Sequence, residues 1–402
     1  MITHDQLLPA FYHLQRLGRI GGIQICASRY ETVAALRHST ALAEAFPGQT
    51  FTAYPDSPGT RQPDLYRSVL TDMAPGGLAV IAVPDNLHFD VIMAALRAGQ
   101  HVLAVKPLVL NVAEAETIQQ TAYEAGLFVG IEYHKRFDDR SLMARRKYRE
   151  GLFGDFRLGT ACLFEKWYYR HSNFQNWCTV ENSDAFSYIG CHYVDLVHFI
   201  TGLLPIAISV YGILDRYPNG NQGYLWTDAR VLWNNGACLN VQNGLGFPDA
   251  APGTNTQGLT LYCRGEENGA LLAHSDQYRG LQYSYTRKPE GAGATVYAEP
   301  SPDYFQYVEY DGPGLSPVGY GYRSVEALVS AWQQVAASAS TDQRRETIRA
   351  IDNRGLIATP ANSRFNEQVL EAARVSIQNG GAQIPIALPA QTGGPRRVTI
   401  AE

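Results

Sequence analysis

The chain has 402 residues, of which 45% are apolar and 18% charged, and a formal net charge of -5. This length exceeds the ~100–200 residues of an ordinary domain, so two domains are expected, and the scattered Lys and Arg argue against a nucleic-acid surface. No apolar run reaches the ~18 residues of a membrane span, "MITHDQLLPAF" lacks the basic and apolar pattern of a secretory leader, and the cysteines form no CxxC pair, which points to free thiols in a reducing cytoplasm and to no metal site.

Taken in chain order, "THDQLLPAFYHLQRLG" reads as a first helix. Continuous apolar runs at 20–27, 78–83, 101–105 and 127–132 have strand length, and helical spacing separates them at 89–100 and 112–126, with glycine near each helix end. Strands alternating with helices build a doubly wound parallel sheet. The basic run "RRKYR" at 145–149 falls on a further helix and is expected to be a solvated face. Beyond about residue 150 the texture changes to longer alternating runs punctuated by Asn-Gly turns, the pattern of antiparallel hairpins. Helices are expected at about 184–201, at 323–338, where one closes the sheet region, and at 362–380, with "GGPRRVTIAE" as a loose tail. The expected architecture is an α/β Rossmann-like doubly wound parallel sheet over residues 1–137, followed by an α+β domain with a large open antiparallel sheet over 138–402. Ligands of doubly wound sheets bind beyond the carboxyl ends of the strands, and Lys106 stands at such an end.

The stretch "AVIAVPDNLHFDVIMAALRAGQHVLAVKPLVLNVAEAETI" closely resembles the Gfo/Idh/MocA oxidoreductases. Val83, Pro84 and His88 match that family's strand-to-helix turn, and Lys106-Pro107 its strand-end hallmark. "GIEYHKRFDD" and "YIGCHYVDLVHFITG" resemble its next strand end and its histidine-bearing helix. Three positions depart from the pattern: Val105 stands for a glutamate before the lysine, His134 for an asparagine, and Tyr188 for an acid four residues before His192. The glycine-rich turn that cradles a dinucleotide pyrophosphate is also absent. The resemblance implies a start about a dozen residues upstream, where that turn would lie; loss of the motif is the alternative.

A strand-end lysine ordinarily reaches solvent and a lone helical histidine ordinarily packs in a core. The resemblance instead implies that Lys106 and His192 handle the hydroxyl proton while a nicotinamide takes the hydride. Tyr188, His192, Asp195 and Phe199 share one helical face; Asp195 is read as an orienting or structural acid that fixes the imidazole or caps a neighbouring backbone group, and Tyr188 is a candidate relay but a poor base, since a free phenol titrates near ~10. The resemblance places Val83, Pro84, Asn86, His88, Lys106, Pro107 and His134 against the cofactor. Ser28 and Arg29, at the end of the apolar run 20–27, suit the 2′-phosphate of NADP slightly better than the ribose of NAD; a solvated Arg29 is the plainer reading. Aromatic rings interleaved with donors suit a sugar, so Trp167, Tyr169, Arg170 and Trp177 are candidate substrate contacts beside Lys106, Arg136 and His192, although ordinary aromatic packing explains the same residues.

The resemblance thus implies an NAD(P)-dependent dehydrogenase acting on a secondary alcohol of a sugar, sugar acid or cyclitol. The alternatives are a sugar glycosidase or lyase that oxidises transiently, and a non-catalytic sugar-binding protein. The resemblance also implies a homodimer or homotetramer formed through the antiparallel sheet, with no nucleic-acid or membrane partner.

Overall fold

The computed structural model describes residues 2–251, 253, 255–265, 268–275, 282–287, 295–300, 303–310 and 312–387; the expected tail lies outside them. A π-helical turn, Thr3–Leu7, leads into α1 (Leu8–Arg16), with Pro9 in the first turn, where its missing N–H goes unneeded. The helix buries two faces. Leu7, Ala10 and Leu14 pack with Val105, Val325 and Val329, while Leu8 and Tyr12 pack with Leu42 and Phe46.

Of the apolar run 20–27 only β1 (Gln24–Cys26) is strand. There follow α2 (Tyr30–Arg37), α3 (Thr40–Ala45), β2 (Thr52–Tyr54), α4 (Leu65–Asp72), β3 (Leu78–Ile81), α5 (His88–Arg97), β4 (His101–Val105), α6 (Val112–Ala125) and β5 (Val129–Glu132). The Asn111 side chain caps α6 by accepting from the Glu114 amide at 2.9 Å, and Gly126 ends it at φ 64, a left-handed conformation that favours glycine. All strand pairs here are parallel, but they form two sheets, β1–β2 and β3–β4–β5, and β1 is not hydrogen-bonded to β3. The Rossmann-type alternation is thus present, with its sheet in two parts. In the larger part Ile81 pairs with Ala104 and Val105 with Glu132, so the carboxyl ends of β3, β4 and β5 form one edge.

The second half begins with α7 (Asp139–Arg149) and β6 (Asp155–Lys166), then α8 (Cys191–Thr201), β7 (Pro205–Arg216), β8 (Gln222–Trp233), β9 (Cys238–Phe247), β10 (Asn255–Arg264) and β11 (Gly269–Ser275). With β16 (Ile384–Pro385) these strands make a seven-stranded sheet in the order β11-β10-β6-β9-β8-β7-β16. β6 and β9 run parallel at its centre and the other pairs are antiparallel, so the expected antiparallel sheet is mixed. Two hairpins, β12 (Gln282–Arg287) with β13 (Thr295–Pro300) and β14 (Gln306–Val308) with β15 (Ser316–Val318), stand apart from it.

Three details differ from the sequence reading. α9 (Tyr320–Ala336) seats Leu328, Ala331 and Val335 against Leu103 and Phe128 of the parallel sheet, so it does not close the mixed sheet. It sits close enough that a Cβ on Gly130 would lie 2.4 Å from Leu328 Cδ2. Beyond α10 (Thr341–Arg354), the helix expected at 362–380 divides into α11 (Pro360–Ser363) and α12 (Phe365–Gln378). The basic run is only partly solvated: Arg145 and Arg149 both donate to the Phe199 carbonyl, at 3.1 and 3.2 Å, and so close the C-terminal end of α8. No helix among the described residues is long and apolar enough to cross a membrane.

Candidate active site

β4 is buried along its whole length and delivers Lys106 to the sheet edge. The Lys106–Pro107 peptide is cis. His88, at the start of α5, holds this corner in place: its Nδ1 lies 2.8 Å from the Pro107 carbonyl and its Nε2 3.0 Å from that of Val83. Val83 and Pro107 are therefore joined through one buried imidazole, and Pro84 and the exposed Asn86 lie on the turn between Val83 and His88.

Lys106 does not reach solvent as an ordinary strand-end lysine would. It is 7% exposed, its Nζ donates to the Tyr188 carbonyl, and it lies 3.7 Å above the centre of the Tyr188 ring. The Tyr188 partner comes from a π-helical turn, Phe186–Gly190, that precedes α8 and is anchored by Asp184, whose carboxylate accepts from the Ser187 amide at 2.8 Å. Burial pushes the Tyr188 phenol well above its ordinary range, so it is no base. The ring instead gives the ammonium an aromatic face.

One turn on, His192 is 6% exposed and its Nδ1 has no hydrogen-bond partner. Burial, then the positive fields of Lys106, His134 and Lys135, hold its imidazole well below the usual range. It is accordingly neutral near pH 7 and able to accept a proton. Its ring centre lies 4.7 Å from that of His134.

Asp195, expected on the same face, points elsewhere. It grips Arg136 in a two-point ion pair, Nε to Oδ2 at 2.7 Å and Nη2 to Oδ1 at 2.5 Å, and accepts from Asn366 at 3.0 Å. Both ion-pair side chains are 2% exposed. Of its two expected roles Asp195 takes the structural one, and Arg136, expected against the substrate, is committed to it inside the core. A shared helical stripe says which residues face one way, not what stands opposite each of them.

The aromatic candidates divide into two groups. Tyr169 and Trp177 belong to a cluster continuous with the lysine: Tyr169 packs on Phe174 at 5.3 Å, and Phe174 and Trp177 pack on Tyr188 at 4.5 and 5.8 Å. Arg170 is buried, donates from Nε to the Leu245 carbonyl at 2.7 Å and from Nη1 to Asp215 at 2.5 Å, and leaves Nη2 without a partner. Trp167, 43% exposed, covers its guanidinium at 3.9 Å.

Sequence reasoning missed several groups that the fold gathers here. Gln257 accepts from Lys135 and donates to Asn255 at 3.0 Å, and Asn255 reaches Glu165 at 3.4 Å. Burial raises the Glu165 carboxyl, opposed by Asn255 and by the Lys106 and Lys135 charges. Asp85, also raised by burial against the pull of His88 and Lys106, accepts from Ser183 at 3.2 Å. The period-2 alternation of β10 carried a signal, because Asn255 and Gln257 occupy the same inward set as Leu259 and Leu261. Polar residues in a core-facing set need partners.

The residues fit a nicotinamide dinucleotide at two points. The orphaned His192 Nδ1 beside Lys106 suits the reactive end, and Ser28 with the exposed Arg29, just beyond β1 and before α2, suits the adenosine ribose. A glycine-rich turn for the pyrophosphate is not among the described residues.

Comparison with known proteins agrees with this geometry. Residues 16–133 match the sequence model of an oxidoreductase family with an NAD-binding Rossmann fold, GFO_IDH_MocA. Scyllo-inositol 2-dehydrogenase (NADP(+)) IolW of Bacillus subtilis is 31% identical over 78 residues, 19% of this chain and 22% of the relative. Levoglucosan dehydrogenase of Pseudarthrobacter phenanthrenivorans is 22% identical over 125 residues, 30% of this chain and 32% of the relative. These alignments span under a third of each curated relative. Scyllo-inositol dehydrogenase from Lactobacillus casei, solved with NAD(H) and scyllo-inositol, superposes with a TM-score of 0.60 at 14% identity, covering 94% of this chain and 95% of that one. Such a likeness shows that the fold is shared along nearly the whole length.

Proposed function

We propose, from the match of residues 16–133 to the GFO_IDH_MocA oxidoreductase family model, that the chain is an NAD(P)-dependent dehydrogenase of a secondary alcohol on a sugar, sugar acid or cyclitol. The observation that carries the reading is a buried lysine, held by Tyr188 at the sheet edge, with its charge acting on a neutral buried histidine one helical turn further along that has no partner on its Nδ1.

Val83, Pro84, Asn86, His88, Pro107 and His134 would line the dinucleotide, and Ser28 and Arg29 its adenosine ribose, with NADP slightly favoured over NAD. The bound nicotinamide would supply hydride transfer at the carbinol carbon. Lys106 positions the reacting hydroxyl through its ammonium, and His192 takes the hydroxyl proton, the acid–base contribution that oxidation of an alcohol needs. The buried surroundings exclude water and strengthen both interactions. Tyr169, Trp177 and Arg170 would face the rest of the ring, with hydroxyls reaching Glu165 and Asn255.

A self-associating sheet is part of the same proposal. Leu158, Tyr262 and Leu271 are exposed large apolar residues, and Tyr262 is the register partner of both others, so they form one row across β6, β10 and β11. An exposed apolar row of this kind favours burial against a second copy.

Isothermal titration with NAD and NADP tests the cofactor assignment. Micromolar binding of either nucleotide supports it. Binding of neither refutes it and leaves the non-catalytic reading.

A further inference from the structure

The site also holds a carboxylate–imidazole pair to which the proposed chemistry gives no proton role. Glu132, the last residue of β5, is 1% exposed and takes His134 Nδ1 at 3.0 Å on Oε2. Its other oxygen accepts from Gln6 at 2.8 Å and Ser324 at 2.6 Å, so the turn Thr3–Leu7 and α9 both fix the carboxylate. His134 is further enclosed by the rings of Tyr304 at 4.9 Å and Tyr320 at 5.7 Å, and by His192 at 4.7 Å. Tyr304 in turn donates to Gln6, so the pair is held from several elements.

A proton taken by His192 has nowhere to rest. The imidazolium would be buried, facing Lys106, Lys135 and His134, with Tyr133 against its edge and no carboxylate bonded to it. His134 differs in two respects: a carboxylate balances it, and it keeps 13% exposure. Its Nε2 has no protein partner among the described residues. We propose that His134, tethered by Glu132, carries the proton between His192 and solvent. This rests on the dehydrogenase reading, in which the oxidant is a nicotinamide dinucleotide. The substrate O–H bond breaks and an N–H bond forms on His192; that proton then passes to His134, whose charge Glu132 balances, and leaves to water. Tyr188 replaces the acid that the sequence pattern expects before His192, and the Glu132–His134 pair supplies a carboxylate-backed acceptor from the opposite side.

Two experiments separate this relay from a merely structural role and from the dehydrogenase reading itself. In ligand-free protein, NMR titration of labelled imidazoles compares the parent with His134→Gln, which keeps a hydrogen-bonding side chain but does not titrate. The His192 signals should titrate at higher pH in the variant, because a positive neighbour is gone; an unchanged His192 titration overturns the relay. In turnover, His134→Ala and Glu132→Gln should each lower kcat, by ~10²-fold for His134→Ala, and added imidazole, which can enter the space that alanine leaves, should restore rate to His134→Ala. Undiminished kcat, or a loss that imidazole leaves untouched in a variant that melts like the parent, also overturns it. If the parent neither binds nucleotide nor turns over, the dehydrogenase reading fails, and the NMR result alone decides whether the two imidazoles are coupled.

Discussion

The Arg136–Asp195 pair gives the sharpest test of which site residues are structural. Each side chain is 2% exposed, and the contact has two points, at 2.7 and 2.5 Å. Removing one partner strands a buried charge, which costs ~3–5 kcal/mol, whereas replacing both with apolar groups of similar volume is close to neutral. Asp195→Asn and Arg136→Met should therefore each lose ~3–5 kcal/mol, while Asp195→Leu with Arg136→Met should lose far less than the two single changes together. Glu367 adds a check. It is buried, and its carboxyl is pushed up to about 8, mainly by burial and in part by Asp195. In Asp195→Asn that charge is gone, Glu367 ionises more readily, and it offsets part of the loss. Adding Glu367→Gln should then deepen the loss. Urea unfolding followed by tryptophan fluorescence measures each variant, with the nucleotide Kd taken alongside. Single variants within ~0.5 kcal/mol of the parent and inactive in turnover would refute the structural assignment and return Asp195 to the reacting centre.

Lys106→Met should abolish turnover and leave nucleotide binding largely intact, as titration calorimetry and a steady-state assay will show. Glu367 also makes stability depend on pH. Its folded carboxyl holds a proton up to about 8 against an ordinary 4.5, so its contribution is complete below the ordinary value and is lost as pH rises through about 8. Urea midpoints across that window should fall in the parent and flatten in Glu367→Gln. Tyr262→Glu places a charge in the exposed apolar row and should shift the chain to a smaller species in light scattering, with its fold retained by circular dichroism. Arg29→Ala should weaken NADP binding more than NAD binding; equal loss of both would remove Arg29 from the 2′-phosphate.

Much of the fold was legible because apolar periodicity reports element type directly. The runs 78–83, 101–105 and 127–132 became β3, β4 and β5 to within a few residues, and Asn111 and Gly126 bounded α6 as caps do. Periodicity does not report partners. The apolar stripe of α9 looked the same whichever sheet it covered, and the parallel pairing of β6 with β9 left no mark on either strand. The burial of Lys106 is a tertiary fact as well: a strand-end lysine becomes an enclosed one only because the turn Phe186–Gly190 crosses it. His134 was marked as a departure from a pattern, yet its meaning depended on Glu132, two residues earlier, curling back to hold it.

The most direct measurement of the central claim is the fate of a carbinol hydrogen. A panel of inositols and sugars deuterated at the CH–OH carbons, incubated with NAD or NADP and the protein, should yield reduced nicotinamide carrying deuterium from one substrate class, with no transfer by Lys106→Met. Label that never reaches the nicotinamide, in a chain that binds the nucleotide, would contradict the dehydrogenase reading.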